Sequence, residues 1–189
     1  MTKLNFKTLG QELRTELLAR RRDFHMHPEL GFEEFRTSGI VAEELTKLGI
    51  EVQTGIAKTG VVGVLEGDTD GPTVLVRADM DALPILEQND MDYASQSPGK
   101  MHACGHDAHV AIGLGVANLC SPQPSFAGWS GKIVPAWRRG NGGALAMIND
   151  GVLGKSGAGY SSGPPRVDGI ANRHCRGCQW ACNVGFVDI

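Results

Sequence analysis

Leu13, Leu17, Leu18 and Phe24 recur at helical spacing in an Arg-rich stretch, which predicts an amphipathic helix over about residues 8 to 26. His27-Pro28 stops it, because the residue before a proline is pushed out of the α region. Thr37-Ser38 opens a second helix with Ile40, Val41, Leu45 and Leu48 on one face, and Gly49 ends it. Three β-rich runs follow, at 50–54, 60–66 and 73–77. The turn Gly67-Asp68-Thr69-Asp70-Gly71-Pro72 is expected to join the last two as a hairpin. Val74-Leu75-Val76 is apolar on consecutive positions, which puts that strand in the sheet interior. A polar loop spans Glu87 to Lys100, and residues 108–119, rich in Ala, Val, Ile and Leu, form a buried helix. This order describes the start of an α/β domain. Past residue 120 the pattern decays. Only 143–153, with Leu145, Met147, Ile148 and Val152, keeps helical spacing; the last 27 residues show neither period, and no internal repeat is found.

Composition changes this picture at one point. Over all 189 residues, 41% hydrophobic and 21% charged content suits a globular chain, and excludes a coiled coil, a collagen-like repeat and a disordered tail. No apolar run reaches the roughly 18 residues of a membrane span. The start, Met1-Thr2-Lys3-Leu4-Asn5-Phe6-Lys7, lacks a signal-peptide core, and five cysteines form no even framework, so a cytoplasmic location is expected. Residues 1–120 hold 11 basic and 18 acidic residues, a net of −7. Residues 121–189 hold 7 basic and 3 acidic ones, a net of +4, which together give the −3 of the whole chain. The second stretch has no glutamate, yet carries all three tryptophans, 13 of 26 glycines and three of five cysteines. Such a shift marks a domain boundary, a nucleic-acid tail or a change in how the sequence arose.

The densest chemistry is His102-Ala103-Cys104-Gly105-His106-Asp107-Ala108-His109: three histidines, a cysteine and an aspartate in eight residues. Cys sulfur and His nitrogen are the donors a borderline-soft divalent metal prefers, and Gly105 permits a tight turn into a helix. Asp79 and Asp81 leave the end of the strand at 73–77, where open α/β sheets place their sites. They could bind metal or hold a ligating imidazole in its tautomer. Singly, such histidines and cysteines are most often structural; the clustering is what points to a site.

Three segments resemble the metal-dependent amidohydrolases, the family of aminoacylases, hippurate hydrolases and indole-acetyl-amino-acid hydrolases. They are Arg22-Asp23-Phe24-His25-Met26-His27-Pro28-Glu29-Leu30, Arg77-Ala78-Asp79-Met80-Asp81-Ala82-Leu83-Pro84 and the stretch from His102 to His109. The resemblance implies the amino-terminal part of a zinc-peptidase-like catalytic domain, an incomplete α/β fold with a mixed sheet flanked by helices, over residues 1–128. It implies Cys104 and His106 as metal ligands, and Asp81 as the catalytic aspartate beside the metal, with Asp79 near it. It also implies two divalent ions per site (zinc, manganese, cobalt or nickel), an N-acyl amino acid substrate such as hippurate, and no nucleic-acid or membrane partner. Intact members are often homo-oligomers through a second domain that this chain is expected to lack.

The same resemblance calls for Gln-Pro-Gly/Ala-Glu-Glu-Gly and, later, Gly-Leu-His-Val-Trp. Val134-Pro135-Ala136-Trp137-Arg138-Arg139-Gly140 and Gly163-Pro164-Pro165-Arg166-Val167 stand there instead, while residues 140–153 between them again match. Reading each codon's last two bases with the first base of the next can restore both motifs. Codon degeneracy allows Phe-Gln-Pro-Gly-Glu-Glu from Val134 through Arg139, given AGR codons for the two arginines, and Gly-Leu-His-Val-Trp from Gly163 onward. Residues 129–189 are therefore expected to be a damaged continuation, out of frame near 129–139 and from 163, and the chain to be truncated and inactive. A different expectation comes from His174-Cys175-Arg176-Gly177-Cys178-Gln179-Trp180-Ala181-Cys182, which has the spacing of a small zinc- or nucleic-acid-binding protein.

Overall fold

In a computed structural model, the described residues are 5–121, 130–138, 143–150 and 186–188. The first predicted helix is two, α1 (Phe6–Glu12) and α2 (Arg14–Met26), jointed at Leu13, and α3 (Phe35–Lys47) follows. Strands β1 (Glu51–Ile56), β2 (Gly60–Glu66) and β3 (Thr69–Asp79) precede helix α4 (His106–Cys120). Strand β4 (Ser130–Arg138), helix α5 (Gly143–Asn149) and strand β5 (Phe186–Asp188) complete the order.

The sheet runs β1-β2-β4-β3-β5 and is mixed, with β3 and β4 parallel and the other pairs antiparallel. The expected hairpin between the second and third runs does not form, because β4 lies between β2 and β3. The hairpin is instead β1–β2, turning through Ala57 and Lys58, both at positive φ. Residues 70–72 lie in the irregular opening of β3, where its register with β4 shifts between Thr69 and Thr73. The decay of pattern past residue 120 also hides β4 at the sheet centre, where Pro135, with no N–H to donate, pairs with Val76 of β3. In β4, pairing on both edges outweighs local preference. Of the predicted 143–153 helix, 143–149 is helical and residues 151–153 lie outside the described residues.

Side-chain alternation gives the sheet two apolar faces. Val61 and Leu65 of β2 and Ala78 of β3 pack with Phe24 of α2, Val41 and Leu45 of α3, and Val110, Leu114 and Ala117 of α4. On the opposite face Val62 packs with Met147 of α5, beside Val64 and Leu75. The expected α/β arrangement, a mixed sheet flanked by helices, is thus present. A methyl group on Gly115 of α4 would lie 3.0 Å from a terminal methyl of Leu17 of α2, so glycine lets the two helices approach without displacing that leucine. At the other end of the pair, Arg21 and His25 near the carboxyl end of α2 meet Asp107 at the amino end of α4. Among the described residues, no helix is long and apolar enough to cross a membrane.

Candidate metal centre

Asp79 ends β3, Asp81 follows it two residues later, and both are buried. Gly105, left-handed at φ +80, caps α4 and turns the chain so that His106 and Asp107 open the helix pointing inward. His106 Nδ1 lies 2.8 Å from the Asp81 carbonyl oxygen and 3.1 Å from its Oδ1. With Nδ1–H donating to Asp81, the Nε2 lone pair is left over, and Nε2 lies 4.0 Å from Asp79 Oδ2. His109, one turn further along α4, stacks on His106 with ring centroids 5.4 Å apart.

One atom each from Asp79, His106 and His109 lies within 4.8 Å of the others, the spacing that one ion could bridge. Two of these residues also have buried polar atoms with no hydrogen-bond partner, Asp79 Oδ2 and His109 Nδ1. A buried group left without a partner costs about 1–3 kcal/mol. A cation between an orphaned carboxylate oxygen and free imidazole nitrogens would remove that cost, so the donor set fits a divalent metal. Arg77 donates to the other oxygen of Asp79.

Of the sequence-predicted residues, the structure brings His106 and Asp81 together. It does not bring Cys104 into the group: Cys104 is an exposed free thiol in the bend before the helix. Asp79, expected near the site, is instead inside it, and His109 joins it.

A buried network behind the site escaped sequence reasoning. Asp107, fully buried, accepts from Arg21 Nε at 2.8 Å and faces His25 Nδ1 at 2.8 Å. The other face of His25 meets Glu87 Oε1 at 3.0 Å, and Glu87 accepts from the Ser95 N–H at 2.5 Å. Arg21 and His25, four apart in a helix that also buries Phe24, were the available signal.

Burial holds the histidines differently. It works against charge on His106, but Asp81 and then Asp79 outweigh it and raise its pKa. Burial pushes His102 down to about 4 despite the pull of Asp107. A base depressed in the folded state contributes stability above its unfolded value of 6.5, lost as pH falls toward 4. The size is roughly 3 kcal/mol at 1.36 kcal/mol per unit. Urea unfolding of the metal-free chain between pH 7 and 4 should therefore show a steep acid loss that His102→Gln reduces. Parallel curves for the two proteins would contradict this. His106, being raised, contributes stability that is full below 6.5 and is lost as pH rises, so it adds nothing to the acid loss.

A family model described as peptidase family M20/M25/M40 matches residues 75–175. Thermostable carboxypeptidase 1 of Saccharolobus solfataricus is 44% identical over 147 residues, covering 76% of this chain and 37% of the relative. The N-acyl-L-amino acid amidohydrolase of Geobacillus stearothermophilus is 47% identical over 121 residues, covering 64% of this chain and 33% of the relative. Among solved structures, the YXEP protein of Bacillus subtilis, a dinuclear metal-binding peptidase of family M20, superposes with a TM-score of 0.69. It is 38% identical, over 78% of this chain and 41% of that one. This chain spans 33% to 37% of the length of these two curated relatives.

Proposed function

This chain belongs to peptidase family M20/M25/M40, and from that premise we propose that it carries the metal-gripping part of an amide hydrolase acting on N-acyl amino acids, hippurate-like ones included. The observation that carries this reading is the meeting of buried Asp79 and His106 with half-buried His109, where the Asp79 Oδ2 has no hydrogen-bond partner. A relative named N-acyl-L-amino acid amidohydrolase supports the substrate class. Asp79 and His106 hold the metal with His109, and Cys104, an exposed thiol two residues before His106, is the softer donor that would join them by turning inward at the bend before α4. Asp81 keeps His106 in the tautomer that frees Nε2. When bound, a divalent ion polarises a carbonyl and lowers the pKa of a bound water. Zinc, manganese, cobalt and nickel all suit nitrogen, sulfur and carboxylate donors, and intact relatives are read as holding two ions.

In this reading the chain itself does not turn over, because Arg138-Arg139 stand where a glutamate pair would take the water's proton. Residues 129–189 are the damaged continuation of a catalytic-domain segment at 1–128, in a cytoplasmic chain without nucleic-acid or membrane partners. The competing cysteine cluster, Cys175 to Cys182, lies outside the described residues. Titrating the full chain with cobalt(II), then assaying hippurate cleavage, tests the reading. Binding without hydrolysis is expected. No binding overturns the metal site; steady hydrolysis overturns the inactivity; binding lost only on mutating Cys175 and Cys178 favours the cysteine cluster.

A further inference from the structure

We propose that His25 is a positioning residue for the metal centre, acting through Asp107 on the first turn of α4. His106 and His109 lie three apart on one face of that turn, while Asp107, rotated about 100° from His106, reaches toward α2. What holds Asp107 there is α2: His25 Nδ1 and Arg21 Nε both sit 2.8 Å from its Oδ2. The ring of His25 is held in turn from behind by Glu87 at 3.0 Å and flanked by Tyr93, edge-on at 5.6 Å. Glu87 is itself fixed by the Ser95 N–H and by Asn89, and the following Gln96 N–H donates to the Met26 carbonyl at 2.8 Å.

The loop after β3 therefore wraps His25, and His25 hands that constraint to the residue next to His106. Both carboxylates are at most 4% exposed and the His25 side chain is 4% exposed, so the link lies in a dry environment where such bonds are stiff. The hydrogen-bond partners of His25 are Asp107 and Glu87, outside the three grouped residues, and its effect on them is one of orientation. A ring of this kind, two links removed from the ion, fits the behaviour of outer residues whose loss weakens metal affinity about 10–100-fold.

The inference rests on the proposed metal centre, and two substitutions separate the two ideas. His25→Asn puts an amide nitrogen near the place of Nδ1 and keeps the Asp107 bond; His25→Gln reaches the place of Nε2 and keeps the Glu87 bond. Each loses one of two bonds, so a purely structural role predicts similar losses. Cobalt(II) affinity and thermal melting of the full chain are measured for both, and for Glu87→Gln, which leaves the Asp107 side untouched. The positioning role predicts near wild-type affinity for His25→Asn and Glu87→Gln, and a loss of about 10–100-fold for His25→Gln. Equal losses in the two His25 variants, or a comparable loss in Glu87→Gln, overturn it. A wild-type chain that binds no cobalt overturns the metal centre itself and the inference with it. Should the His25 variants fail to fold, Asp107→Asn decides: a loss of cobalt affinity of about 10–100-fold is expected, and wild-type affinity overturns the inference.

Discussion

Asp107→Ala is expected to lower the unfolding free energy by about 3 kcal/mol and the melting temperature by roughly 6–12 °C. Asp107 has a fully buried side chain that neutralises Arg21 and meets His25, both at 2.8 Å. Removing one partner of a buried pair leaves the other charge uncompensated, which costs about 3–5 kcal/mol. The lower end applies here because the Arg21 side chain is 33% exposed, so water screens part of its charge. His25 has no such relief, being 4% exposed. Urea unfolding followed by far-ultraviolet circular dichroism measures the change, with Asp107→Asn as the milder comparison. A loss under about 1 kcal/mol, the size of an ordinary surface change, would show that the network adds little to stability.

His106→Ala is expected to abolish measurable cobalt(II) or zinc binding, a larger effect than any other single substitution at the centre. His106 is the residue through which the other groups meet: Asp81 fixes its Nδ1, Asp79 faces its Nε2 and His109 stacks on its ring. Without it, Asp79 and His109 have no third donor at bridging distance among the described residues. Cys104→Ser makes the instructive contrast. The thiol is exposed and outside the grouped donors, so that variant should still bind cobalt; the proposed ligation by Cys104 adds that thiolate-to-cobalt charge-transfer absorption should then be lost. Unchanged binding in His106→Ala would remove the buried trio from consideration. Charge-transfer absorption that survives Cys104→Ser would remove Cys104.

Much of the amino-terminal fold could be read from residues 5–121 alone, because there local preference and tertiary demand agree. Leu17 and Phe24 at helical spacing in α2, Gly49 after α3 and the apolar run within β3 each state what the fold then does, although the helix expected over 8–26 breaks at Leu13. The dense stretch from His102 to His109, with Asp79 and Asp81, is also where the structure gathers Asp79, His106 and His109. The hairpin expectation failed for a physical reason. A turn signal between two β-rich runs says that the chain reverses, not that the two strands are neighbours, and β4 takes the place between them.

By itself, then, the amino-acid order determined where the helices and first strands lie, and which short stretch holds the metal-type donors, because periodicity and residue chemistry are local properties. Only the tertiary structure decided which donors meet. Asp79 and His109 join His106 because β3 and α4 pack side by side, while Cys104, two residues away in the chain, is turned out to solvent by the bend at Gly105. Arg21 and His25 converge on Asp107 across 86 and 82 residues of sequence, and Glu87 reaches His25 across 62. Contacts of that range are set by how whole elements pack, and no local pattern records them.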